Sequence, residues 1–350
     1  MCTLIVLHRC VAGSPLVVAA NRDEFLDRPA EGLAIRQRPG GSILSPLDLE
    51  AGGTWLGLNE RSVFVGLTNL RPAMDGDGDL ETESQAVETP ASGLQGGSGK
   101  FEPKGPEVLS QGQALAIPGA KSRGDVVMAA LDAASAQGAV ERISEMTQIA
   151  GVEYNPFQLL IADADEAWLT VYRGKPMTFA LESGVHIVGN VESERTEAPR
   201  AGKEARAGKA PRAGKAPRAG EAPRARKLTR IQQRVEEVVK ERSEVLLEDL
   251  AEICREHVDR DPFESTCVHV ANQYGTRSSF LLELFERDSK DLDAHDTRRL
   301  RDTRDTRDTR AMKAGLKSAG TGRLWTSEGA PCETPFIDRS ELLAALHRAG

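Results

Sequence analysis

The feature that most constrains the fold is the arrival of short β-branched and apolar runs in pairs, separated by brief polar turns. The runs Cys2–Leu7 and Leu16–Ala20 flank a loop that contains Gly13 and Pro15. Two further pairs are Thr54–Leu58 with Val63–Thr68, and Phe157–Ala162 with Ala167–Tyr172. Paired runs of this kind predict β-hairpins. The sheets are therefore expected to be antiparallel.

Helical patterns occur in blocks between these hairpins. Ser122 with Asp125 three residues later is typical of a helix start and predicts a helix through Ala136. The segment Leu228–His257 is expected to be helical with one break. Further strands are expected at Val185–Val188, Thr266–Val270 and Ser278–Phe285. Hairpins combined with separate helical blocks indicate an α+β fold, and not a doubly wound nucleotide fold.

Three segments have compositions that predict disordered insertions. Ala73–Ala120 is rich in Gly, Ser and Pro, Ala198–Lys227 repeats a basic hexad, and Asp288–Thr321 contains repeated Arg-Asp-Thr. Their presence is consistent with only 39% hydrophobic and 4% aromatic residues. Without them roughly 240 residues remain, which suits one domain. We therefore expect a single domain over residues 1–350, interrupted at 73–120, 198–227 and 288–321.

Charge and cysteine content exclude several classes of function. The net charge of −8 gives no basic field that would attract nucleic acid, so no specific nucleic-acid partner is expected. Five cysteines without a C-x-x-C pair argue against a disulfide framework or a zinc ribbon and favour a reducing compartment. No signal peptide or run of about 20 apolar residues is recognisable. We expect a cytoplasmic protein without integral membrane association.

The first hairpin brings polar residues to the start of the chain. If its turn centres near Val11, antiparallel pairing places Cys2 opposite residues 20 to 22. Cys2 would then lie against Asn21, Arg22 and Asp23.

Cys2 has the chemistry of an N-terminal nucleophile if Met1 is removed, as is usual before a small residue. An α-amine titrates near 7.7–8.0, so it can act as the base for the thiol of the same residue. Arg22 would favour the thiolate, and Asp23 would hold the ammonium group. The alternative is that Cys2 is a small buried apolar residue in an N-terminal strand.

The motifs of the chain resemble those of the NRDE family, whose best-known members are the transport-and-Golgi-organisation proteins. The resemblance covers essentially all of the chain outside the three insertions, and the motifs follow the family's order. They are Met1-Cys2-Thr3, Asn21-Arg22-Asp23-Glu24, Gly53-Thr54-Trp55-Leu56-Gly57, Gly66-Leu67-Thr68-Asn69, Ser122-Arg123-Gly124, Tyr154-Asn155-Pro156-Phe157 and Tyr274-Gly275-Thr276-Arg277-Ser278-Ser279.

That family is similar to the N-terminal-nucleophile hydrolases of the choloylglycine hydrolase and penicillin acylase type. The resemblance implies a four-layer αββα sandwich, in which two antiparallel sheets pack face to face between helices. It also implies roles for residues: Cys2 as nucleophile, Asn21 and Asp23 as motif residues beside it, and Asn69 and Asn190 as the oxyanion hole. Such hydrogen-bond donors typically contribute about 3 to 4 kcal/mol each to transition-state stabilisation.

One position departs from the hydrolase pattern. Those enzymes place an arginine immediately before the asparagine of the motif, where this chain has Ala20. Arg22 is a substitute, but its side chain is expected on the opposite face of the strand. For a later arginine of the hydrolases, only Arg230 is a loose match.

Two functions follow from these residues. The first is an amidohydrolase or acyltransferase in which Cys2 attacks a linear amide or thioester and no cofactor is required. The alternative is a non-catalytic carrier that binds haem or an acyl-lipid in the same pocket, as the family's links to haem mobilisation and lipid homeostasis imply. Cys2, Cys10 and His8 are the candidate iron ligands, but their spacing demands no haem. A trafficking scaffold would need amphipathic or coiled-coil stretches, which the sequence does not show. The oligomeric state is left open.

No metal site is expected. Cys254 with His257, and Cys267 with His269, are thiol and imidazole pairs of the kind that bind zinc. Their spacing is too loose to predict a site, and buried thiols beside half-exposed histidines are the commoner arrangement.

Overall fold

The computed structural model describes residues 2–70, 117, 119–191, 222–241, 247–286 and 321–349. The helices are α1 (Arg123–Leu131), α2 (Ala136–Thr147), α3 (Ala222–Glu241), α4 (Leu247–Arg255) and α5 (Ser340–Ala349), with a short 3-10 helix at Pro262–Glu264. The strands are β1 (Cys2–Val11), β2 (Ser14–Phe25), β3 (Ala30–Arg38), β4 (Gly41–Asp48), β5 (Leu56–Asn59), β6 (Phe64–Asn69), β7 (Phe157–Ala162), β8 (Ala167–Tyr172), β9 (Pro176–Ala180), β10 (Gly184–Val188), β11 (His269–Val270), β12 (Tyr274–Leu284), β13 (Gly322–Ser327) and β14 (Ile337–Asp338).

The strands form two antiparallel sheets. Among the described residues, the first has the order β10-β1-β2-β12-β13-β14, with β11 paired to β12. The second runs in sequence order from β3 to β9. Neighbouring strands of the second sheet are thus successive in the chain. The connections from β5 to β6 and from β7 to β8 are short, which explains why these hairpins were visible in the sequence, whereas β6 and β7 are separated by α1 and α2.

The hairpin of β1 and β2 is the centre of the first sheet. Its turn needs Gly13, whose φ of 72° lies in the left-handed region that favours glycine. Pairing runs from His8 opposite Leu16 to Cys2 opposite Arg22. The pairing predicted for Cys2 is therefore confirmed.

Three apolar clusters divide the molecule into four layers. Even-numbered residues of β1 and β2, such as Leu4 and Val18, pack against the second sheet in the central cluster. Odd-numbered residues of β1, such as Ile5, pack against α3 and α4. A third cluster joins the outer face of the second sheet to α1 and α2. This alternation produces the αββα sandwich that the resemblance implied, and α5 adds Leu343 to the central layer.

Several elements differ from the sequence-based expectations. The helix that begins at Arg123 ends at Leu131, and a second helix, Ala136–Thr147, follows it. The hairpin of β3 and β4 and the C-terminal helix were not predicted. Within Leu228–His257 the structure describes one helix that ends at Glu241 and another that begins at Leu247, and residues 242–246 lie outside the described residues.

The insertion boundaries need correction. At the ends of two predicted insertions, Ile117 and Thr321 are described and bonded to the domain, the Ile117 N–H donating to Asn155 and the Thr321 carbonyl accepting from Phe285. Residues 73–116, 118, 198–221 and 288–320 lie outside the described residues, so those expectations stay predictions. Residues 222–227, however, form the first part of α3, so assigning them to a disordered insertion was wrong. The buried residues Leu228, Ile231, Val235 and Val238 follow helical spacing and pack this helix onto the first sheet. Tertiary packing therefore extends the helix into the end of the basic repeat.

None of the described helices combines the length and the apolar composition needed to cross a membrane.

Candidate functional site

Cys2 is the first residue of β1 and lines a cavity between the two sheets. The cavity has a volume of about 370 Å³. Its polar lining residues are Cys2, Arg22, Glu24, Arg28, Asp48, Thr54, Asn69, Lys121, Ser122, Arg123 and Asn155. Of the predicted site residues, the structure thus brings Cys2, Arg22 and Asn69 together in this cavity.

Arg22 faces the same side of the sheet as Cys2. Directly opposed residues of an antiparallel pair project to one face, and Ala20 shares that face because it is two positions away. The expectation that the Arg22 side chain projects from the opposite face of the strand was therefore wrong. Its guanidinium carbon lies 4.0 Å from the centroid of the Trp55 ring, and its Nη2 lies 3.6 Å from Oδ2 of Asp48. Arg22 supplies a buried cation beside the thiol, although Ala20 stands where the hydrolases have arginine.

The thiol and its charged neighbours influence one another's protonation. Burial raises the pKa of the Cys2 thiol, and the Arg22 charge acts in the opposite direction. Burial also lowers the pKa of the Arg22 and Arg123 guanidinium groups. Although burial acts to raise the pKa of Glu24, positive charges such as Arg22 and the hydrogen bond from the Phe25 N–H hold it below its usual value. The cavity contains four cationic side chains and two carboxylates, so an anionic group would be attracted to it.

Asn21 and Asp23 point to the other face of β2. Both hydrogens of the Asn21 side-chain amide are used, because Nδ2 donates to the carbonyl oxygens of Cys254 and Thr266 at 2.9 Å each. Its Oδ1 accepts from Ser279 at 2.6 Å. Asn21 therefore holds the loop after α4 against the sheet, which is a positioning role.

Asp23 is buried on the same face as Asn21. Its Oδ1 accepts a hydrogen bond of 2.6 Å from Thr276, and its Oδ2 lies 3.5 Å from Nζ of Lys227. Because β1 and β2 are antiparallel, the amino side of Cys2 is directed toward Asp23, which follows Arg22. The backbone nitrogen of Cys2 is thus approached from the Asp23 side, while its thiol faces the cavity.

Asn69 and Asn190 lie next to each other. Nδ2 of Asn190 donates to the backbone oxygen of Asn69 at 2.8 Å. The Gly189 carbonyl, one residue earlier, accepts from Thr68 at 2.7 Å and from Gln158 at 2.8 Å. These bonds join the end of β10 to the second sheet.

The pairing of β1 with β10 places Asn190, and with it Asn69, beside Cys2. The last pair between β1 and β10 is Leu4 with Val188, so the positions two residues further along each strand are Cys2 and Asn190. Asn190 lines a second, smaller cavity together with Asp23 and Lys227. A side-chain amide has two donor hydrogens, and the bond to Asn69 uses one of them.

Close backbone approaches explain two glycine-containing motifs. A Cβ on Gly66 would lie 2.8 Å from a methyl carbon of Leu4, so glycine lets β6, which carries Asn69, lie close to β1. A Cβ on Gly53 would lie 2.7 Å from the Cα of Gly124. This second contact brings the start of α1, with Arg123, to the cavity.

Among the site residues that sequence reasoning missed are Arg123 and Lys227. Arg123 belongs to a motif that was recognised, but it received no role. Lys227 was assigned to an insertion, although the helical spacing of the apolar residues after it was a usable signal. Arg230, the loose match for a later arginine, instead pairs with Glu256 and donates to Thr266 at 2.9 Å. Lys227 and not Arg230 therefore supplies the cation next to Asp23.

A separate group of side chains lies behind the first sheet. His257, Cys267, His269 and Cys332 lie close together. Cys254, which the sequence had suggested as a partner of His257, is buried in the helix-facing core instead. Cys332 was not paired with the others, because it is 65 residues from Cys267.

Comparisons with known proteins add family information. The sequence model of the family described as Transport and Golgi organisation 2 matches residues 1–89 and 108–290. The human Transport and Golgi organization protein 2 homolog is 47% identical over 75 residues, which cover 19% of this chain and 27% of that protein. The mouse homolog is 48% identical over 66 residues, covering 18% and 24%. The aligned part is about a quarter of the length of these relatives.

Solved structures with some likeness to this chain share only 10% of its sequence. One is the Caenorhabditis elegans ortholog of N-acylethanolamine-hydrolyzing acid amidase, with a TM-score of 0.41 over 80% of this chain and 92% of that one. Another is the C2A mutant of conjugated bile acid hydrolase from Clostridium perfringens, with a TM-score of 0.42 over 82% and 89%. Because the family match extends over most of the 350 residues, the chain belongs to the Transport and Golgi organisation 2 family.

Proposed function

We propose that this chain is an N-terminal-cysteine hydrolase or acyltransferase that cleaves a linear amide or thioester bearing an anionic group. The observation that carries the proposal is the position of Cys2, level with Arg22 and lining a charged cavity that also contains Asn69. A nucleophile needs an activating base and a site for the developing oxyanion. The α-amine of Cys2 is the candidate base, and the oxyanion site is assigned to Asn69, which lines the cavity, and to Asn190, which donates to the Asn69 carbonyl.

The base in this proposal is the α-amine of Cys2 after removal of Met1. The amine takes the thiol proton as Sγ attacks the carbonyl carbon, and Asp23 stabilises the resulting ammonium group. Asn69 and Asn190 donate hydrogen bonds to the oxyanion. Collapse of the tetrahedral intermediate breaks the amide or thioester bond, and the leaving group takes the proton from the ammonium. Water or an amine then attacks the acyl-enzyme and releases the acyl group.

The positive charge of the cavity supports an anionic substrate. Arg28 is engaged by Asp48 at 2.7 Å, whereas among the described residues Arg123 makes one long hydrogen bond, of 3.4 Å, to the Pro156 carbonyl. Arg123 and Lys121 are therefore the side chains best suited to bind a carboxylate or phosphate of the substrate.

The same lining argues against an apolar cargo. Pockets for apolar ligands are lined mainly by hydrophobic and aromatic residues. Here most of the lining side chains are charged or polar, with Trp55 and Leu67 as the main large apolar ones. Of the three candidate iron ligands, only Cys2 lines the cavity, because His8 and Cys10 lie elsewhere on β1.

The proposal is tested by intact-mass spectrometry combined with turnover assays. Protein whose loss of Met1 has been verified by mass is incubated with acyl-CoA thioesters and N-acyl amino acids. We expect an acyl adduct on Cys2 and release of the free acid, both abolished in Cys2→Ala and in a form that retains Met1. Binding of acyl-CoA or haem that is unaffected by either change, with no adduct and no turnover, would favour the carrier.

The anionic specificity has its own test. Arg123→Gln is expected to raise KM at least tenfold for an anionic substrate, because a charge-assisted contact is lost, while Arg142→Gln on the exposed surface of α2 serves as the matched control. An equal effect of both changes would contradict the role of Arg123.

A further inference from the structure

Two cysteines and two histidines from three separate segments converge away from the Cys2 cavity. His257 follows α4, and Cys332 lies in the loop after β13. Cys267 lies two residues before β11, and His269 is the first residue of that strand. One ligand atom from each residue lies within 4.8 Å of the corresponding atoms of all the others. Cys267 is buried and the other three side chains are exposed, so a solvated ion has access to the group.

The distances between these atoms match the edges of a tetrahedron around zinc. The two sulfurs are 3.5 Å apart, and Nε2 of His269 lies 3.5 Å from Sγ of Cys267 and 3.2 Å from Sγ of Cys332. Zinc bonds of about 2.3 Å to sulfur and about 2.0–2.1 Å to nitrogen give tetrahedral edges of about 3.8 Å and about 3.6 Å. An ion at the centre would require these three residues to move by only a few tenths of an ångström, and His257, whose ligand atom lies within 4.8 Å of the others, by up to about an ångström.

Backbone contacts hold the ligand-bearing segments in place. The N–H groups of Thr266 and Cys267 donate to the Glu256 carbonyl, each at 3.1 Å, which fixes His257 beside the strand. The Arg255 guanidinium donates to the Pro331 carbonyl at 3.1 Å, which fixes the loop of Cys332. The donor atoms are thus brought together by a frame that does not depend on a metal.

We propose that His257, Cys267, His269 and Cys332 form a site for Zn²⁺ with two cysteine and two histidine ligands. Two thiolates and two neutral imidazoles balance the charge of the ion, and the thiol protons are released to solvent on binding. Because the protein fills all four positions, no position remains for a substrate, which is typical of a structural site.

The site would tie the C-terminal part of the chain to the strand behind the Cys2 cavity. Cys332 and Cys267 are 65 residues apart, and a link across a long loop constrains the unfolded chain strongly. The residues next to Cys267 support the candidate catalytic strand: the Thr266 carbonyl accepts from Asn21, and the Val268 N–H donates to the Thr276 hydroxyl that binds Asp23.

The test is metal binding by the full chain. Reduced protein, stripped with EDTA and desalted, is titrated with Zn²⁺ against a chromophoric chelator and with Co²⁺ in the absence of air. We expect one equivalent of metal, a thiolate-to-cobalt charge-transfer band, and a higher melting temperature with Zn²⁺. Cys332→Ser and His269→Ala should each weaken Zn²⁺ binding at least tenfold, and Cys332→Ser should also reduce the charge-transfer band. Cys10→Ser, which alters a half-buried thiol outside the group, should leave both unchanged.

Other results would overturn the site. These are an absence of stoichiometric metal in the reduced protein, an equal loss of binding in Cys10→Ser, or a Cys267–Cys332 disulfide in protein that takes up no metal once reduced. Circular dichroism of the metal-free variants separates loss of a ligand from loss of folding. His257→Ala, at an exposed position, provides a third ligand variant if Cys332→Ser does not fold.

Discussion

The ammonium group of Lys227 lies 3.5 Å from a carboxylate oxygen of Asp23, and both side chains are buried. Lys227 belongs to α3 and Asp23 to β2, so the pair joins the outer helical layer to the strand that lies beside Cys2. A buried charge is tolerated when it is paired and hydrogen-bonded. The Thr276 hydroxyl supplies the hydrogen bond, and Lys227 supplies the opposite charge.

Removing the cation should destabilise the fold strongly. Lys227→Met removes the ammonium group that faces the buried Asp23 carboxylate, and breaking a buried pair costs about 3–5 kcal/mol. The free energy of unfolding is measured by urea denaturation. Arg234→Met on the same helix is the control, because Arg234 is exposed and its ion pairs should contribute less than about 1 kcal/mol. Equal losses in the two variants would show that the buried pair has no special role. Adding Asp23→Asn to Lys227→Met should restore part of the stability.

Two deletions test where the second insertion ends. Removing residues 198–221 should leave the melting temperature within a few degrees of wild type, because loop length costs only about 0.6 kcal/mol per doubling. Leu228 packs beside Gly189, so the six residues 192–197 are long enough to connect the two ends of the loop. Removing residues 198–227 also removes Lys227 and the first turns of α3, and should lower the melting temperature by far more. Equal melting temperatures for the two deletions would contradict the assignment of residues 222–227 to the folded domain.

The contact between Gly53 and Gly124 should not tolerate a side chain. A Cβ on Gly124 would lie 2.9 Å from the Cα of Gly53 and 3.0 Å from the Thr54 nitrogen, and overpacking of this kind costs about 1–3 kcal/mol. Gly124→Ala should therefore destabilise the protein in a denaturant titration. Gly138→Ala is the matched control, since its nearest neighbour would be the Ser135 hydroxyl at 3.4 Å. Within a helix that control should be neutral or slightly stabilising.

His8 should make the protein less stable in mild acid. The imidazole is buried, and burial lowers its pKa below 6.5, an effect that the neighbouring Arg9 charge reinforces. The unfolded chain therefore takes up the proton first. Stability present above pH 6.5 is lost as the pH falls toward the folded-state pKa, with a slope of at most about 1.4 kcal/mol per pH unit.

The comparison is between wild type, His8→Leu and His186→Gln, measured by urea denaturation at pH 7.5 and pH 5. His8→Leu should lose less stability than wild type between the two values. His186→Gln is the control, because the His186 charge also acts on His8. This variant should lose nearly as much stability between the two pH values as wild type does. The same acid loss in His8→Leu as in wild type would exclude His8 as its source.

The charge of Arg22 should influence the reactivity of Cys2. Burial raises the pKa of the thiol and the Arg22 cation opposes that effect, so Arg22→Met should raise the pKa further. Less thiolate at pH 8 should slow alkylation by iodoacetamide by about threefold or more. Arg28→Met is the control, because Arg28 lines the same cavity but is engaged by Asp48. A pH profile of alkylation that is identical in Arg22→Met and wild type would remove Arg22 from the activation of the thiol.

Local sequence patterns were sufficient to predict much of the fold. The hairpin of β7 and β8 was predicted with the bounds that the structure has, because both strands are short, largely apolar runs joined by a polar turn. The pairing of Cys2 with Arg22 followed from the length of the first hairpin alone. The hairpin of β3 and β4 was not predicted, because most residues of β3, the edge strand, are only half-buried and the apolar pattern is weak.

The sequence by itself determined the antiparallel sheets, the family and the position of Cys2 beside residues 21 to 23, since each depends on contacts between neighbours in the chain or on a continuous motif. Only the tertiary structure decided which distant side chains meet. Lys227 reaches Asp23 because α3 packs on the odd-numbered face of β1 and β2, and Cys332 reaches Cys267 because β13 pairs with β12. Contacts of that kind depend on how layers and strands pack across long stretches of chain. Their free energy comes from burial of the whole apolar face, so no short segment encodes them.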